Sequence, residues 1–319
     1  MPVPKKSSRR SLDSKAGVTL TLGKLAGELF GADTSPLPAG MKNVSGDVKA
    51  LLGEKLRKKH KALAGACALT IDGRVATVTL DRPQARNALS RALMRELTHT
   101  ARDLAERSDI DVVLLSGAGG VFSAGADLND ANAWADDSLS TIERRAIAST
   151  GFKLCKAWEE MPQITIAAIE GYAVGGGLAL ALACDWRVVA EDAFVSLPEI
   201  ALGIPLTWGT IPRLVNLLGP AKAKRLTILC ERFTAAEALT MGVIDYVAPK
   251  GGALAKARAI AAQTLAKPAA SVRMSKESVN AAATILNHAT SYMAHDQIAL
   301  AAGSPESRAA RAAALKRGK

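Results

Sequence analysis

Short apolar runs separated by turn signals make up most of the chain beyond its N-terminal segment. The segment CALTIDGRVATVTL (67–80) predicts two short strands around the turn pair Asp72-Gly73, because both turn residues tolerate a positive φ. The runs DVVLLSG (111–117) and ITIAAIEG (164–171) are apolar and flanked by charge or glycine, which is typical of buried strands.

Helical patterns lie between and after these strands. Segment 90–109 has Ser90 as a candidate N-cap. Its apolar residues at helical spacing are Leu93, Leu97, Ala101 and Leu104. The segment WRVVAEDAFVSLPEI (186–200) predicts further short strands, and beyond about residue 206 the chain is mainly helical. Strands that alternate with helices and precede a helical tail favour an α/β fold with a helical C-terminal region.

The positive charge of the chain is concentrated near its N-terminus. Of the net charge of +11, residues 1–66 contribute +8 (13 Lys/Arg, 5 Asp/Glu) and the remaining residues only +3 (28 Lys/Arg, 25 Asp/Glu). We expect residues 1–66 to form a flexible, basic extension. One alternative is a tether to nucleic acid or another acidic surface, since clustered Lys and Arg attract phosphate. Another is an organellar presequence, because the first dozen residues are basic and carry serines.

The composition favours a cytoplasmic, globular protein. Hydrophobic residues make up 49% of the 319 residues, and no apolar run reaches the roughly 18–20 residues needed to span a bilayer. The four cysteines are widely spaced, which fits a reduced chain without structural zinc and leaves disulfides as a minor alternative. None of the four histidines stands near a motif, so neither a metal mechanism nor Ser-His-Asp catalysis is expected.

Two glycine-containing loops carry the candidate chemistry. In EGYAVGGGLALALACD (170–185), three consecutive glycines precede a stretch of small helix formers, without the spacing of a phosphate-binding or dinucleotide-binding loop. Such glycines serve either close packing or the approach of a substrate to free backbone N–H groups at the start of a helix. A second segment, VFSAGADL (121–128), also follows a predicted strand and a glycine-rich turn. Together the loops could hold one carbonyl oxygen from two sides.

With LDRPQARNALS (80–90) and PEIALGIP (198–205), these loops form an ordered set that resembles the crotonase (enoyl-CoA hydratase/isomerase) superfamily over roughly residues 68–318. The resemblance implies a crotonase-like spiral of ββα units, with C-terminal helices that build a homotrimer or a dimer of trimers. It also implies an acyl-CoA substrate, whose CoA thioester is bound without a separate cofactor. We expect a basic extension at 1–66, a core at 67–262 and a helical oligomerisation region at 263–319.

The resemblance also assigns roles to residues by position. The backbone N–H groups of Ala126 and Gly176 are the expected donors to the thioester oxygen, and Glu199 is the expected acid/base. The expected CoA contacts are Arg82, Ala85, Asp127 and Leu128. The expected pocket residues are Trp134, Pro205 and Trp208, with two alternatives: Trp208 could equally belong to the ordinary core, and Trp134 could equally lie at the surface.

One position departs from the hydratases of this superfamily. They carry two glutamates around a water molecule, whereas this chain has Ala179 at the earlier glutamate position. A single carboxylate can move a proton between two carbons of a dienolate, so we expect double-bond isomerisation. The alternatives are a hydratase with an unusual second group, another thioester reaction, or a catalytically vestigial member that binds CoA or nucleic acid.

Overall fold

The computed structural model describes residues 66–128, 130, 138–285, 287, 291 and 294–317. The expected basic extension lies outside these residues except for Ala66, and so does Trp134. Of the helices among the described residues, none is both long and apolar enough to cross a bilayer.

Strands and helices alternate along the described chain, as the sequence predicts. The strands are β1 (Cys67–Asp72), β2 (Val75–Leu80), β3 (Val112–Gly117), β4 (Ile164–Ile169), β5 (Tyr172–Val174), β6 (Trp186–Ala190), β7 (Phe194–Ser196), β8 (Arg232–Thr234) and β9 (Tyr246–Ala248). The α-helices are α1 (Arg91–Ala105), α2 (Thr141–Ala148), α3 (Thr150–Glu159), α4 (Gly176–Leu182), α5 (Thr210–Ile228), α6 (Ala235–Met241), α7 (Ala253–Leu265), α8 (Ala269–Ala283), α9 (Ala294–Ala302) and α10 (Pro305–Arg317). Short 3₁₀ helices span Pro83–Ala85 and Ile200–Leu202.

The strands form two sheets. The larger has the order β1-β2-β3-β4-β6-β9 and is parallel except for the β1-β2 hairpin. The smaller has the order β5-β7-β8, in which β5 and β7 are parallel and β8 is antiparallel. In a parallel sheet the carboxyl ends of the strands share one edge, so the loops after β3 and β4 emerge on the same side.

The hairpin turn differs by one residue from the sequence prediction. Asp72 pairs with Val75 and so belongs to the strand, which leaves Gly73 and Arg74 as the turn residues. Of the predicted pair Asp72-Gly73, only Gly73 has a positive φ, at 54°. The prediction was wrong because an Asp-Gly pair is compatible with two registers, and the strand ladder selects between them.

Helix α1 confirms its predicted start and buried face. The Ser90 side chain accepts a hydrogen bond from the Leu93 amide, and all four predicted apolar positions are buried. They pack with α3, α4 and one face of the large sheet in a single core. Apolar residues of α7 cover the opposite face of that sheet. Both faces are therefore buried, which explains why the β3 and β4 sequences are continuously apolar.

The C-terminal helices return toward the loops at the sheet edge. In α9, the Asp296 carboxylate forms an ion pair with Arg145 of α2, with 2.9 Å between Oδ1 and Nε. The start of α10 packs so tightly on Gly203 that a Cβ there would lie 2.5 Å from the Ser307 Cα. Helix α7 crosses the expected 262/263 boundary and packs on the sheet, so the division at that position stays a prediction.

Candidate active site

A parallel bridge joins the two glycine-containing loops. The Ser123 amide donates to the Tyr172 carbonyl at 3.1 Å, and the Val174 amide donates to the Ser123 carbonyl at 3.0 Å. These bonds connect the loop after β3 directly to β5, which leads into the three glycines. The connection fixes the position of Ala126 relative to the first residue of α4.

A second bridge leaves the Ala126 N–H free for other contacts. The Leu89 amide donates to the Gly125 carbonyl at 2.8 Å, and the Asp127 amide donates to the Leu89 carbonyl at 3.1 Å. In this pattern the amide of the intervening Ala126 has no acceptor among the described residues. Gly176 is the first residue of α4, so its amide likewise lacks a partner within the helix.

Glycines allow the two amides to lie side by side. A Cβ on Gly176 would lie 3.2 Å from the Ala126 nitrogen, and a Cβ on Gly125 would lie 3.2 Å from the Gly176 nitrogen. Gly125 also has a φ of 91°, which a residue with a side chain rarely adopts. Close approach of the two loops therefore requires glycine on both sides.

Sequence reasoning missed Asn87, which connects the LDRPQARNALS segment to these loops. Its side chain is fully buried and donates to the carbonyls of Ala118 and Val121 at 2.9 and 2.8 Å. Its Oδ1 accepts from the Arg82 amide at 2.9 Å. The residue also has a φ of 52°, a conformation that asparagine tolerates better than most residues. An Asn after the turn-forming RPQAR was the available signal.

One cavity contains most of the predicted site. Its volume is about 180 Å³. The predicted residues that line it are Ala126, Asp127, Leu128, Gly176, Glu199, Pro205 and Trp208, joined by Ala179. Ile147 of α2 and Ile298 of α9 add apolar walls, so the C-terminal helix α9 helps to enclose the cavity.

Two of the predicted CoA contacts lie outside this lining. The Arg82 guanidinium donates to the Ala88 carbonyl at 2.6 Å and to Asp127 Oδ2 at 3.1 Å. Ala85 lies in the 3₁₀ helix beside Arg82 and is half-buried. Arg82 therefore stabilises its own loop and connects that loop to Asp127, which does line the cavity.

Glu199 presents a buried carboxyl to the cavity. The residue as a whole is partly exposed, but its Oε2 is buried and has no hydrogen-bond partner among the described residues. Its Oε1 lies 2.7 Å from the position that a Cβ on Gly175 would take. Burial raises the pKa of Glu199 from 4.5 to about 7, against a smaller opposing effect of a backbone hydrogen bond.

The other acidic side chains of the cavity are paired with cations. Of the described residues, three carboxylates line the cavity: Asp127, Asp130 and Glu199. Asp127 pairs with Arg82 at 3.1 Å and Asp130 with Arg91 at 3.0 Å. Burial acts to raise the pKa of Asp130, but the bonds from Arg91 outweigh it and the net shift is downward. Glu199 is thus the carboxyl best suited to exchange a proton near neutral pH.

The Glu199 carboxyl should make stability fall as the pH rises. Because its pKa is about 7 in the folded protein and 4.5 in the unfolded chain, the folded state holds more protons between these values. The penalty is absent below about pH 4.5 and complete above about pH 7, where it reaches on the order of 3 kcal/mol. We expect the change in the free energy of unfolding caused by Glu199→Gln to be more stabilising at pH 8 than at pH 5. Urea unfolding of both proteins at the two pH values measures this, and an equal effect at both would contradict it.

The comparisons with known proteins agree with one another. The profile of the enoyl-CoA hydratase/isomerase family matches residues 70–311. A probable enoyl-CoA hydratase of Mycobacterium tuberculosis is 37% identical over 217 residues, which cover 66% of this chain and 79% of that protein. A short-chain-enoyl-CoA hydratase of Clostridium acetobutylicum is 33% identical over 210 residues, which cover 66% and 78%.

A solved structure of an enoyl-CoA hydratase is also similar to this chain. The crystal structure of an enoyl-CoA hydratase from Mycobacterium avium subsp. paratuberculosis matches with a TM-score of 0.71 and 26% identity, over 79% of this chain and 96% of that one. This match confirms the expected crotonase-like α/β fold with its helical C-terminal region. The family profile spans most of the sequence and the relatives align over two thirds of their own length or more. This chain therefore belongs to the enoyl-CoA hydratase/isomerase family and is an enzyme of the crotonase superfamily.

Proposed function

We propose that this protein moves the double bond of a 3-enoyl-CoA thioester into conjugation with the carbonyl group. The observation that carries the proposal is Glu199, which among the described residues is the one cavity-lining carboxyl without a cationic partner. The same cavity is lined by Ala179, at the position where the resemblance implies the other glutamate of the hydratases. Ala179 lies one turn after Gly176 in α4 and is 3% exposed.

The proposed reaction uses one base and two backbone donors. The Glu199 carboxylate takes a proton from C2 of the 3-enoyl thioester, and the electron pair moves onto the carbonyl oxygen to form a dienolate. The amides of Ala126 and Gly176 stabilise this oxyanion by hydrogen bonding. The glutamic acid then returns the proton to C4, so that no atom or electron is gained or lost. A pKa of about 7 suits a group that must both accept and donate a proton at neutral pH.

The remaining predicted residues complete this proposal. Arg82, Ala85, Asp127 and Leu128 would contact the CoA portion, which makes the CoA thioester the substrate and requires no further cofactor. The exposed apolar residues Met274 and Val279 of α8 would lie in the interfaces of a homotrimer or a dimer of trimers.

Hydration of a 2-enoyl-CoA is the second candidate. It is favoured by the relatives, several of which are named as enoyl-CoA hydratases. Because one carboxyl cannot position water and deliver a proton at the same time in the two-glutamate manner, a hydratase would need an unusual second group in place of the glutamate that is missing at Ala179. Asp127 and Asp130 line the same cavity but are paired with arginines.

Turnover assays on the purified protein separate the two reactions. We expect conversion of a 3-enoyl-CoA without hydration of a 2-enoyl-CoA. A 3-enoyl-CoA deuterated at C2 should deliver part of its label to C4, because one carboxyl carries the same proton between the two carbons. Addition of solvent oxygen to the 2-enoyl substrate would instead support the hydratase, and turnover of neither would contradict both functions.

A further inference from the structure

Trp208 has a backbone conformation that favours glycine. Its φ is 58°, and the next residue, Gly209, has a φ of 70°. A bulky residue in this left-handed region is an outlier that persists only where its surroundings hold it, and such residues cluster at functional sites. Trp208 lines the cavity, where contacts with other segments hold both its backbone and its ring.

The buried Arg213 side chain, in an ion pair with the partly buried Glu159, fixes the backbone of Trp208. The Arg213 Nη1 donates to the Trp208 carbonyl at 2.7 Å. The same guanidinium holds both Glu159 carboxylate oxygens, at 2.8 and 2.7 Å, and the Arg213 side chain is 6% exposed. A bidentate, charge-assisted pair of this kind is geometrically rigid. The turn that carries Trp208 is therefore tied to the end of α3.

The indole ring lies in a slot between two glycines. A Cβ on Gly151 of α3 would lie 1.8 Å from the indole Cε2 and 2.2 Å from its Nε1. A Cβ on Gly176 would lie 2.5 Å from Cζ3 and 2.6 Å from Cη2 at the far edge of the ring. The ring thus spans the distance between α3 and the start of α4, and neither helix has room for a side chain at these positions.

The far edge of the ring lies beside the proposed oxyanion donors. The Cβ position of Gly176 that meets the ring edge is also 3.2 Å from the Ala126 nitrogen. A thioester carbonyl bound by both amides would place its acyl chain next to this edge. Because the backbone and the opposite side of the ring are both held, the ring cannot move away to admit a longer chain.

We propose that Trp208 is a specificity-determining residue that limits this enzyme to short-chain acyl-CoA thioesters. The inference rests on the proposed acyl-CoA function and adds the size of the acyl group. Gly151 makes room for the indole, and Arg213 acts as a positioning residue for the Trp208 turn. The cavity that the indole lines has a volume of about 180 Å³.

Calorimetric titration with saturated thioesters tests this without turnover. Butyryl-CoA and decanoyl-CoA can be neither isomerised nor hydrated, so binding is measured independently of catalysis. We expect the unmodified protein to bind butyryl-CoA at least about tenfold more tightly than decanoyl-CoA. In Trp208→Gly, which suits the left-handed backbone, decanoyl-CoA should gain at least about tenfold in affinity, while butyryl-CoA changes less than about threefold.

Two further variants keep the result interpretable. Cys230→Gly is the matched control, because Cys230 also has a left-handed φ of 54° but does not line the cavity, and it should change neither affinity. Trp208→Phe keeps a ring, and it should give a smaller gain for decanoyl-CoA than Trp208→Gly. Equal binding of both thioesters to the unmodified protein, or an unchanged ratio in both Trp208 variants, would overturn the inference alone. Absence of any acyl-CoA binding would overturn the proposed function as well.

Discussion

Glu199→Gln should lower kcat for 3-enoyl-CoA isomerisation by about 100- to 10,000-fold, with little change in the affinity for butyryl-CoA. The amide is nearly isosteric with the carboxyl but can neither take a proton from C2 nor return it to C4. Since Oε2 of Glu199 is buried without a hydrogen-bond partner among the described residues, replacement of the carboxyl by the amide should not disturb the fold at neutral pH. In the unmodified protein kcat should rise with pH through about 7, as the base loses its proton.

Asp130→Asn is the matched control for this experiment. It removes another cavity carboxyl, but one that is already paired with Arg91. Its kcat should stay within about tenfold of the unmodified value, because a paired carboxylate of lowered pKa is a poor general base. If Asp130→Asn abolished turnover while Glu199→Gln retained it, the assignment of the base would be wrong.

The second large effect is expected at the proposed oxyanion site. Gly176→Ala introduces a methyl group 3.2 Å from the Ala126 nitrogen, in the space that a carbonyl oxygen would need. The same methyl would lie 2.5 Å from the Trp208 ring, so the helix start or the ring must shift. Misaligning one donor should lower kcat by about 100- to 1,000-fold, the range observed when an oxyanion donor is removed.

The double variant Gly176→Ala/Trp208→Gly separates the two causes. It removes the collision with the ring but keeps the methyl beside the donor, so kcat should remain low if donor geometry is responsible. Recovery of kcat in the double variant would show that the loss came from displacement of the ring.

Gly73→Ala is the stability control: Gly73 also needs a positive φ, but a Cβ there meets nothing within 4 Å. It should lower the free energy of unfolding and leave kcat unchanged.

Sequence reasoning was most accurate where burial follows a local period. The helix after Ser90 was predicted with its cap and its buried face, because a 3.6-residue repeat and a capping serine are readable without tertiary contacts. The strands at 111–117 and 164–171 were also confirmed, since both faces of the sheet are covered and the apolar runs are continuous. The sequence placed the hairpin turn one residue too early, because the register of a hairpin depends on the pairing of its two strands.

The candidate site was only partly readable from the sequence. The segments around Ala126, Gly176 and Glu199 were found from motif order, and the structure brings all three residues to one cavity. Asn87 and Gly151 were not found, because their importance lies in contacts with distant segments. Trp134 lies outside the described residues, and its expected place in the pocket stays a prediction.

By itself, the sequence determined the order of strands and helices and the family, and its resemblance to that family predicted a single glutamate where two are expected in the hydratases. Those features depend on local residue patterns and on the order of short motifs along the chain, which a single sequence displays directly. Only the tertiary structure decided that Oε2 of Glu199 is buried without a hydrogen-bond partner among the described residues, and that Trp208 lines the cavity as well as packing against the core. Both outcomes depend on residues far away in the sequence. A carboxyl shifts its pKa according to everything packed around it, and an indole ring takes its place only where two other segments leave room.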